Sequence, residues 1–328
     1  MTSTDLDIVA IGDAIVDVIA TCDDSFLAEH RLPKGSMQLL DPAQADALYA
    51  AMGPAREISG GSAANSMAGA AALGLKAAFV GQVAKDQLGE IFAHDMRSLG
   101  VRFETPPISG VLPTGRCLIL VTPDAQRTMN TCPGASHELT VEALDPQLIR
   151  SAAITFLEGY LWGPERPRVA MLEAARIAHS AERTVAFTLS ESLCIGDRRK
   201  GVLGMIESGL IDVLFGNEDE VRHLTGCDDL GDCLHALTPM VRTLVVTRGA
   251  AGAVAIEKGG HAEIHAVPVD RVVDTTGAGD LFAAGFLAGR CRGRNLKASL
   301  ETGALAAAEV ISHFGARPEA DLRELVAL

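Results

Sequence analysis

Asp274-Thr275-Thr276-Gly277-Ala278-Gly279-Asp280 is the stretch whose reading decides the fold, because it joins two kinds of local pattern. Before it, the β-branched run at 267–273, interrupted by Pro268, predicts a strand. After it, Leu281-Phe282-Ala283-Ala284-Gly285-Phe286-Leu287 predicts a buried helix. A glycine turn therefore opens a helix, and the unpaired amides of a first helical turn can converge on an anion. Gly277 and Gly279 lack Cβ, which allows close approach to that anion and φ > 0. Asp280 gains from the positive end of the helix dipole, yet it would repel a resting phosphate. Both facts hold if Asp280 takes a proton from an incoming hydroxyl while Gly277, Ala278 and Gly279 hold the phosphoryl group under attack. A capped helix after a tight turn is the plainer account. The acid–glycine–glycine–acid order favours chemistry.

Outward from this stretch, strands and helices alternate. Strands are expected at 6–11, 14–20, 37–40, 77–83, 153–158, 184–189, 211–215, 243–246 and 253–257. Helices are expected at 42–52, 63–73, 86–99, 165–181, 198–208, 218–225 and 230–240, and again after Gly277, at 295–313 and after Pro318. This rhythm predicts an α/β fold with a doubly wound parallel sheet covered by helices on both faces. The short alternating pieces at 15–41 and 101–131 do not suit that sheet and are expected to form a small β lid. Residues 1–14, 42–100 and 132–328 are then the large catalytic domain.

Composition narrows the function. Of 328 residues, 48% are hydrophobic, enough for a sizeable core, and only 4% are aromatic, too few for base-stacking platforms. The net charge of −14 argues against nucleic acid or anionic membrane as partner, although local amides and one arginine can still hold a small phosphate. Seven cysteines, odd in number and without a C-x-x-C pair, read as thiols in a reducing compartment. No apolar run reaches membrane-spanning length, and the first residues lack the basic region of a signal peptide, so a cytoplasmic protein is expected.

The remaining candidates sit at ends of predicted strands. The Walker A pattern is absent, and so is a G-x-G-x-x-G after the first strand. Thr247, Gly249 and Gly252 follow one strand and could wrap a phosphate, although a hairpin turn explains them equally well. Asn217 and Glu220 follow another; they share a helix face and could orient waters around Mg²⁺, or simply cap the helix. Asp17 among apolar neighbours would be costly to bury unpaired, and a polyol's hydroxyls would satisfy it. Gly60, Gly61 and Asn65 offer close backbone approach and an amide in a first helical turn. Arg127 lies in a polar hairpin where its guanidinium could close over a phosphate or remain solvated. His137, His179, His223, His235 and His313 show no ligand spacing, and Tyr160 and Trp162 read as core or rim.

In order and spacing, Gly60-Gly61 with Asn65, Asn217 with Glu220, Thr247-x-Gly249-x-x-Gly252 and Asp274-x-x-Gly277-x-Gly279-Asp280 resemble the ribokinase-type (PfkB) sugar and nucleoside kinases. The resemblance covers nearly the whole chain. It implies a ribokinase-like α/β/α sandwich with a small β lid, and transfer of the ATP γ-phosphoryl to a primary alcohol. It makes Asp280 the base and Gly277 to Gly279 the anion hole. Asn217 and Glu220 fall at the Mg²⁺–phosphate region, Glu220 through water, and Thr247, Gly249 and Gly252 along the nucleotide. Asp17, Gly61 and Asn65 fall on substrate hydroxyls, with Gln38, Gly60 and Ser62 beside them. A monovalent cation such as K⁺ is implied near Asp274 and Thr276. Gly12-x-x-x-x-Asp17, Gln38, Gly60-Gly61-Ser62-x-x-Asn65, Pro113-Thr114-Gly115-x-Cys117 and Arg127 are most similar to the adenosine kinases of the family. Two positions depart from that pattern: Asp13 replaces the usual Asn, and Leu193 falls where an aromatic often stacks on the base. A nucleoside acceptor, adenosine first, is expected, with a sugar next and a non-catalytic sensor last among the family readings. A monomer or homodimer is expected. A dinucleotide-dependent dehydrogenase lacks its glycine fingerprint.

Overall fold

The computed structural model describes residues 4–110, 112–124, 126–190 and 198–326. Its strands, in chain order, are β1 (Leu6–Ile11), β2 (Ile15–Thr21), β3 (Met37–Leu39), β4 (Arg56–Gly60), β5 (Ala77–Val80), β6 (Arg102–Phe103) and β7 (Gly115–Val121). They continue with β8 (Arg127–Cys132), β9 (Ala152–Glu158), β10 (Thr184–Thr188), β11 (Val213–Asn217), β12 (Thr243–Thr247), β13 (Ala253–Glu257) and β14 (Gly260–Ile264). Nine strands form one sheet in the order β14-β13-β12-β11-β10-β9-β1-β5-β6. Its strands from β12 to β6 are parallel, and the β12–β13–β14 edge is antiparallel.

The parallel strands are buried on both faces, and their side chains alternate between two cores. Ile8 and Ala10 of β1 join the core containing Met67, Phe92, Phe286 and Leu300, under helices Ser62–Ala72, Gln87–Ser98, Ala278–Cys291 and Leu296–Val310. Val9 and Ile11 join the opposite core, with Met171, Met205, Val221 and Leu237 from helices Glu165–Ser180, Arg199–Glu207, Glu218–Thr225 and Leu230–Leu237. From β1 the chain moves outward to β5 and β6, then returns to place β9 on the other side of β1. The strand order thus reverses between β1 and β9, and ligands of such sheets bind outside the carboxyl ends at that point.

The second sheet has five strands in the order β3-β8-β7-β2-β4. Ile15, Asp17, Cys117, Ile119, Met129, Met37 and Leu39 lie on the face turned to the large sheet's carboxyl edge. Val16, Val18, Leu118 and Leu120 are buried on the other face, with Leu27 and Ala45 of helices Asp24–Glu29 and Pro42–Ala51. Strand β4 lies in a stretch expected in the large domain, yet it pairs with β2 in the small sheet. Strand β6, expected in the lid, pairs with β5 in the large sheet.

The expected strand at 267–273 does not form: the chain runs as a loop between Ile264 and Ala278. The hairpin β13–β14 already completes that edge of the sheet, Pro268 has no N–H to give a ladder, and the Val273 amide donates to Ile311 O at 2.8 Å. The strand expected at 77–83 ends at Val80.

Candidate active site

A cleft of about 510 Å³ lies between the two sheets, where β1 and β9 end. Its floor is the start of helix Ala278–Cys291. Gly277 caps that helix at φ 78°, and no side chain caps the first turn. A Cβ on Gly277 would lie 2.7 Å from Ala316 Cβ, so the turn needs glycine for both angle and space. A Cβ on Gly279 would meet nothing within 4 Å, because that position faces the open cleft.

Asp280 stands one residue further on, and its orientation is set by another element. Ser62 Oγ donates to Asp280 Oδ1 at 2.6 Å and Asn65 Nδ2 donates to Oδ2 at 3.0 Å, while Ser66 Oγ reaches the Asp280 carbonyl at 3.1 Å. These donors come from the first two turns of helix Ser62–Ala72, entered through Gly61 at φ 93°. Burial raises the Asp280 pKa, opposed by the Ser62 and Asn65 hydrogen bonds and by Arg317. Asp17, on the roof, is pushed up to about 6 by burial, against the pull of Arg127 and Arg317. Gly60 leaves room for it, since a Cβ there would touch the carboxylate at 2.5 Å.

At the point of strand reversal, Glu158 from the end of β9 is fully buried. Its carboxylate accepts the Asp13 amide at 2.5 Å and the Ala63 amide at 2.6 Å. Burial, then the nearby Asp13 charge, raises its pKa well above the usual carboxylate range. Asp13 is buried too and is raised by that burial, with His137 and Ser136 opposing; its Oδ1 has no partner among the described residues. Arg317 supplies a countercharge to Asp17 and Asp280 rather than to this pair. Its guanidinium donates to Ala64 O at 2.8 Å and Ser59 O at 2.7 Å, and burial lowers its pKa to about 10. An acid held by two donors at an uncapped helix start, opposite a cleft able to admit an alcohol, is arranged for phosphoryl transfer to a hydroxyl.

The profile described as pfkB family carbohydrate kinase matches residues 5–322. The chain belongs to the pfkB carbohydrate kinase family. It is a phosphotransferase with an alcohol acceptor, and its fold is ribokinase-like. The kinase is 45% identical to the solved adenosine kinase of Sinorhizobium meliloti, with a TM-score of 0.91 over 97% of this chain and 98% of that one. It is 44% identical to a probable sugar kinase from Rhizobium etli, with a TM-score of 0.91 over 98% and 97% of the two chains. The Saccharomyces cerevisiae adenosine kinase is 27% identical over 94% of this chain and 95% of its own.

In this kinase Asp17, Gly61, Ser62, Asn65, Asn217, Glu220, Thr247, Thr276, Gly277, Ala278, Gly279 and Asp280 all line the cleft. Gln38 does not. Strand side chains alternate, so Met37 and Leu39 face the cleft while Gln38 turns away and donates to Asn130 Oδ1 at 2.7 Å. Gly249 and Gly252 form the β12–β13 turn, closed by Arg248 N donating to Gly252 O at 2.8 Å, and only Thr247 of that group reaches the cleft wall. Arg127 bridges Asp274 and Thr276 Oγ1. Asn217 and Glu220 form a reciprocal capping box: Glu220 Oε2 accepts the Asn217 amide at 2.8 Å and Oε1 accepts Asn217 Nδ2 at 2.9 Å. A carboxylate already receiving these bonds suits Mg²⁺ through water rather than as a direct ligand.

Sequence reasoning marked Asp13 only as a departure from the family pattern and missed Glu158 and Arg317 as parts of the site. Glu158 carried a signal, an acid at the carboxyl end of a predicted parallel strand. His137, Tyr160, Thr188, Ser190 and Arg198 also line the cleft. Leu193 lies outside the described residues.

Proposed function

We propose that this kinase transfers the γ-phosphoryl group of ATP to the primary 5′-type hydroxyl of a nucleoside, adenosine first. The observation that carries the reading is the Asp280 carboxylate, fixed by Ser62 and Asn65 beside the open start of helix Ala278–Cys291. Asp280 accepts the hydroxyl proton as the oxygen attacks. The amides from Gly277 to Gly279 hold the charge that develops on the transferring group. A loose transition state asks for alignment and charge stabilisation more than for a strong base, so a carboxylate suffices. Mg²⁺ bound with the nucleotide supplies neutralisation of phosphate charge, and Glu220 with Asn217 would hold its water shell. Thr247 flanks the nucleotide end. Asp17 and Asn65 accept from the hydroxyls of the substrate, and the small sheet acts as a lid that keeps out competing water.

A nucleoside is favoured over a bare sugar by the apolar roof. Ile15, Met37, Leu39, Ile119 and Met129 line it, and Leu39 is 66% exposed, a surface that a planar base would cover. The cleft volume falls within the range of about 300–1,000 Å³ typical of small-molecule sites. A sugar acceptor is the second reading, favoured by Asp13, whose unpartnered Oδ1 suits a hydroxyl donor better than a ring nitrogen.

The test is ATP turnover against adenosine, other nucleosides, ribose and fructose, with the product identified by mass. Phosphorylated adenosine is expected from the wild type. Asp280→Asn should lose at least ~10²-fold in kcat, the scale of general-base catalysis. Undiminished turnover by that variant, or no product from any acceptor, removes the reading.

A further inference from the structure

The family resemblance puts a monovalent cation at Asp274 and Thr276, but the donors and charge there are already accounted for. The Asp274 side chain is 2% exposed. Its Oδ1 accepts the Thr276 amide at 3.0 Å, and its Oδ2 accepts the Gly315 amide at 2.8 Å. Arg127, whose side chain is 11% exposed, reaches from β8 of the small sheet and donates Nη1 to Asp274 Oδ2 at 2.5 Å. The same Nη1 bridges to Thr276 Oγ1. Burial alone would raise the Asp274 pKa; the Gly315 and Thr276 amides and then Arg127 outweigh it, and the carboxyl lies below its ordinary value. A metal ion entering here would meet a fixed positive charge on the same oxygen, which is repulsive at any effective dielectric.

We propose that Arg127 is the cation of this loop: its tethered guanidinium takes the place of a bound monovalent metal ion, and the kinase works without one. A buried carboxylate requires a countercharge, and Arg127 delivers it through one nitrogen, Nη1, shared between Asp274 and Thr276. Thr276 directly precedes Gly277, so the same contact fixes the residue from which the helix tip turns. Arg127 is thereby a positioning residue for Gly277 to Asp280, and it ties the small sheet to the loop beneath the cleft.

The experiment compares the wild type, Arg127→Ala, Arg127→Lys and Arg127→Ala/Asp274→Asn in potassium, sodium or tetramethylammonium chloride at one ionic strength. Two quantities are read: the melting temperature of the protein alone, and the initial rate with adenosine and ATP. The wild type should keep the same melting temperature in all three salts, and its rate should vary by less than about twofold, since screening is constant. Arg127→Ala should melt lower and should recover about 2–4 °C in potassium or sodium but not in tetramethylammonium, as expected for a ligand that binds only the folded protein. The double variant, with the uncompensated carboxylate gone, should lose that response.

A potassium-specific rise in wild-type melting temperature or rate overturns the proposal. So does an Arg127→Ala protein indifferent to all three salts. If Arg127→Ala does not accumulate as folded protein, Arg127→Lys decides together with the wild type: a potassium requirement in the charge-retaining variant and the wild type alike overturns it, and independence in both supports it. The rate measurement rests on the kinase reading, whereas the melting temperature does not. Absence of product would therefore remove the proposed function and leave this inference to be judged on its own.

Discussion

Asp17 is a carboxyl held where its charge is penalised. Its folded pKa of about 6 exceeds the ordinary 3.8, chiefly through burial. Between those values the folded protein binds more protons than the unfolded chain, so stability is lost as pH rises through this window. A shift of this size costs on the order of 2 kcal/mol at pH 8, after allowance for partial exposure. Asp17→Asn should therefore raise the melting temperature by about 2–4 °C at pH 8, with the gain vanishing towards pH 4. The acceptor KM should rise at least ~10-fold, because hydrogen bonds to the charged group are lost. Melting curves at pH 4, 6 and 8, with acceptor kinetics at pH 8, read both effects; a pH-independent stability change would refute the assignment. Asp280, Ser62 and Asn65 were legible from sequence because each sits in a short run with its glycines. Gln38 was assigned by family resemblance alone, and in this strand its side chain falls on the face turned away from the cleft. Arg317 could not be found at all, since its partner Ser59 lies 258 residues away.

The helix start divides the work of its two glycines, and the division is testable at the level of the element. Gly277 has φ 78° and no room for a methyl group beside Ala316. Gly277→Ala should lower stability by about 1–3 kcal/mol and activity with it, through the turn itself. Gly279 has open space around its Cα. Gly279→Ala should leave stability within about 0.5 kcal/mol yet reduce kcat at least ~10-fold, because its methyl occupies the place meant for the phosphoryl oxygens. Thermal melts and kcat for the pair separate the roles; equal activity loss with equal destabilisation would contradict them. The helix Ser62–Ala72 is almost entirely small residues, a composition that requires a close neighbour without naming it. The neighbour is helix Ala278–Cys291, where a Cβ on Gly69 would fall 2.5 Å from Leu281 Cδ1. That contact is what carries Ser62 and Asn65 to Asp280. The run at 267–273 misled because β-branched composition suits a strand only where a partner strand is free to pair, and the β13–β14 hairpin already closes that edge.

For the whole molecule, the alternation of strands and helices gave the parallel centre of the large sheet, β12 to β5, but not its antiparallel β13–β14 edge or β6. The memberships of β4 and β6 depended on long-range pairing that no local pattern encodes. The assembled result brings Asp13, Asp17 and Asp280 to the lining of one cleft, with Glu158 buried against the Asp13 amide, in a chain whose net charge is −14. Against them stand Arg317 and, engaged with Asp274, Arg127. A unit charge about 6 Å from a carboxylate feels about 3 kcal/mol at an effective dielectric of 20, partly cancelled by the arginines. An acceptor that is itself an anion should therefore be rejected, even if it carries the right primary hydroxyl. A neutral sugar and its carboxylate counterpart, each with that hydroxyl, should differ at least ~10-fold in kcat/KM at pH 8, a net of about 1.4 kcal/mol. Burial raises all four pKa values, that of Asp17 to about 6, so acidification from pH 8 towards 6 neutralises part of the Asp17 charge and should narrow the gap. Substrate acids with ordinary pKa values remain charged at pH 6, so the narrowing would come from the protein side. Equal efficiencies at pH 8, or a gap that widens on acidification, would show that the cleft's field is not what selects its substrate.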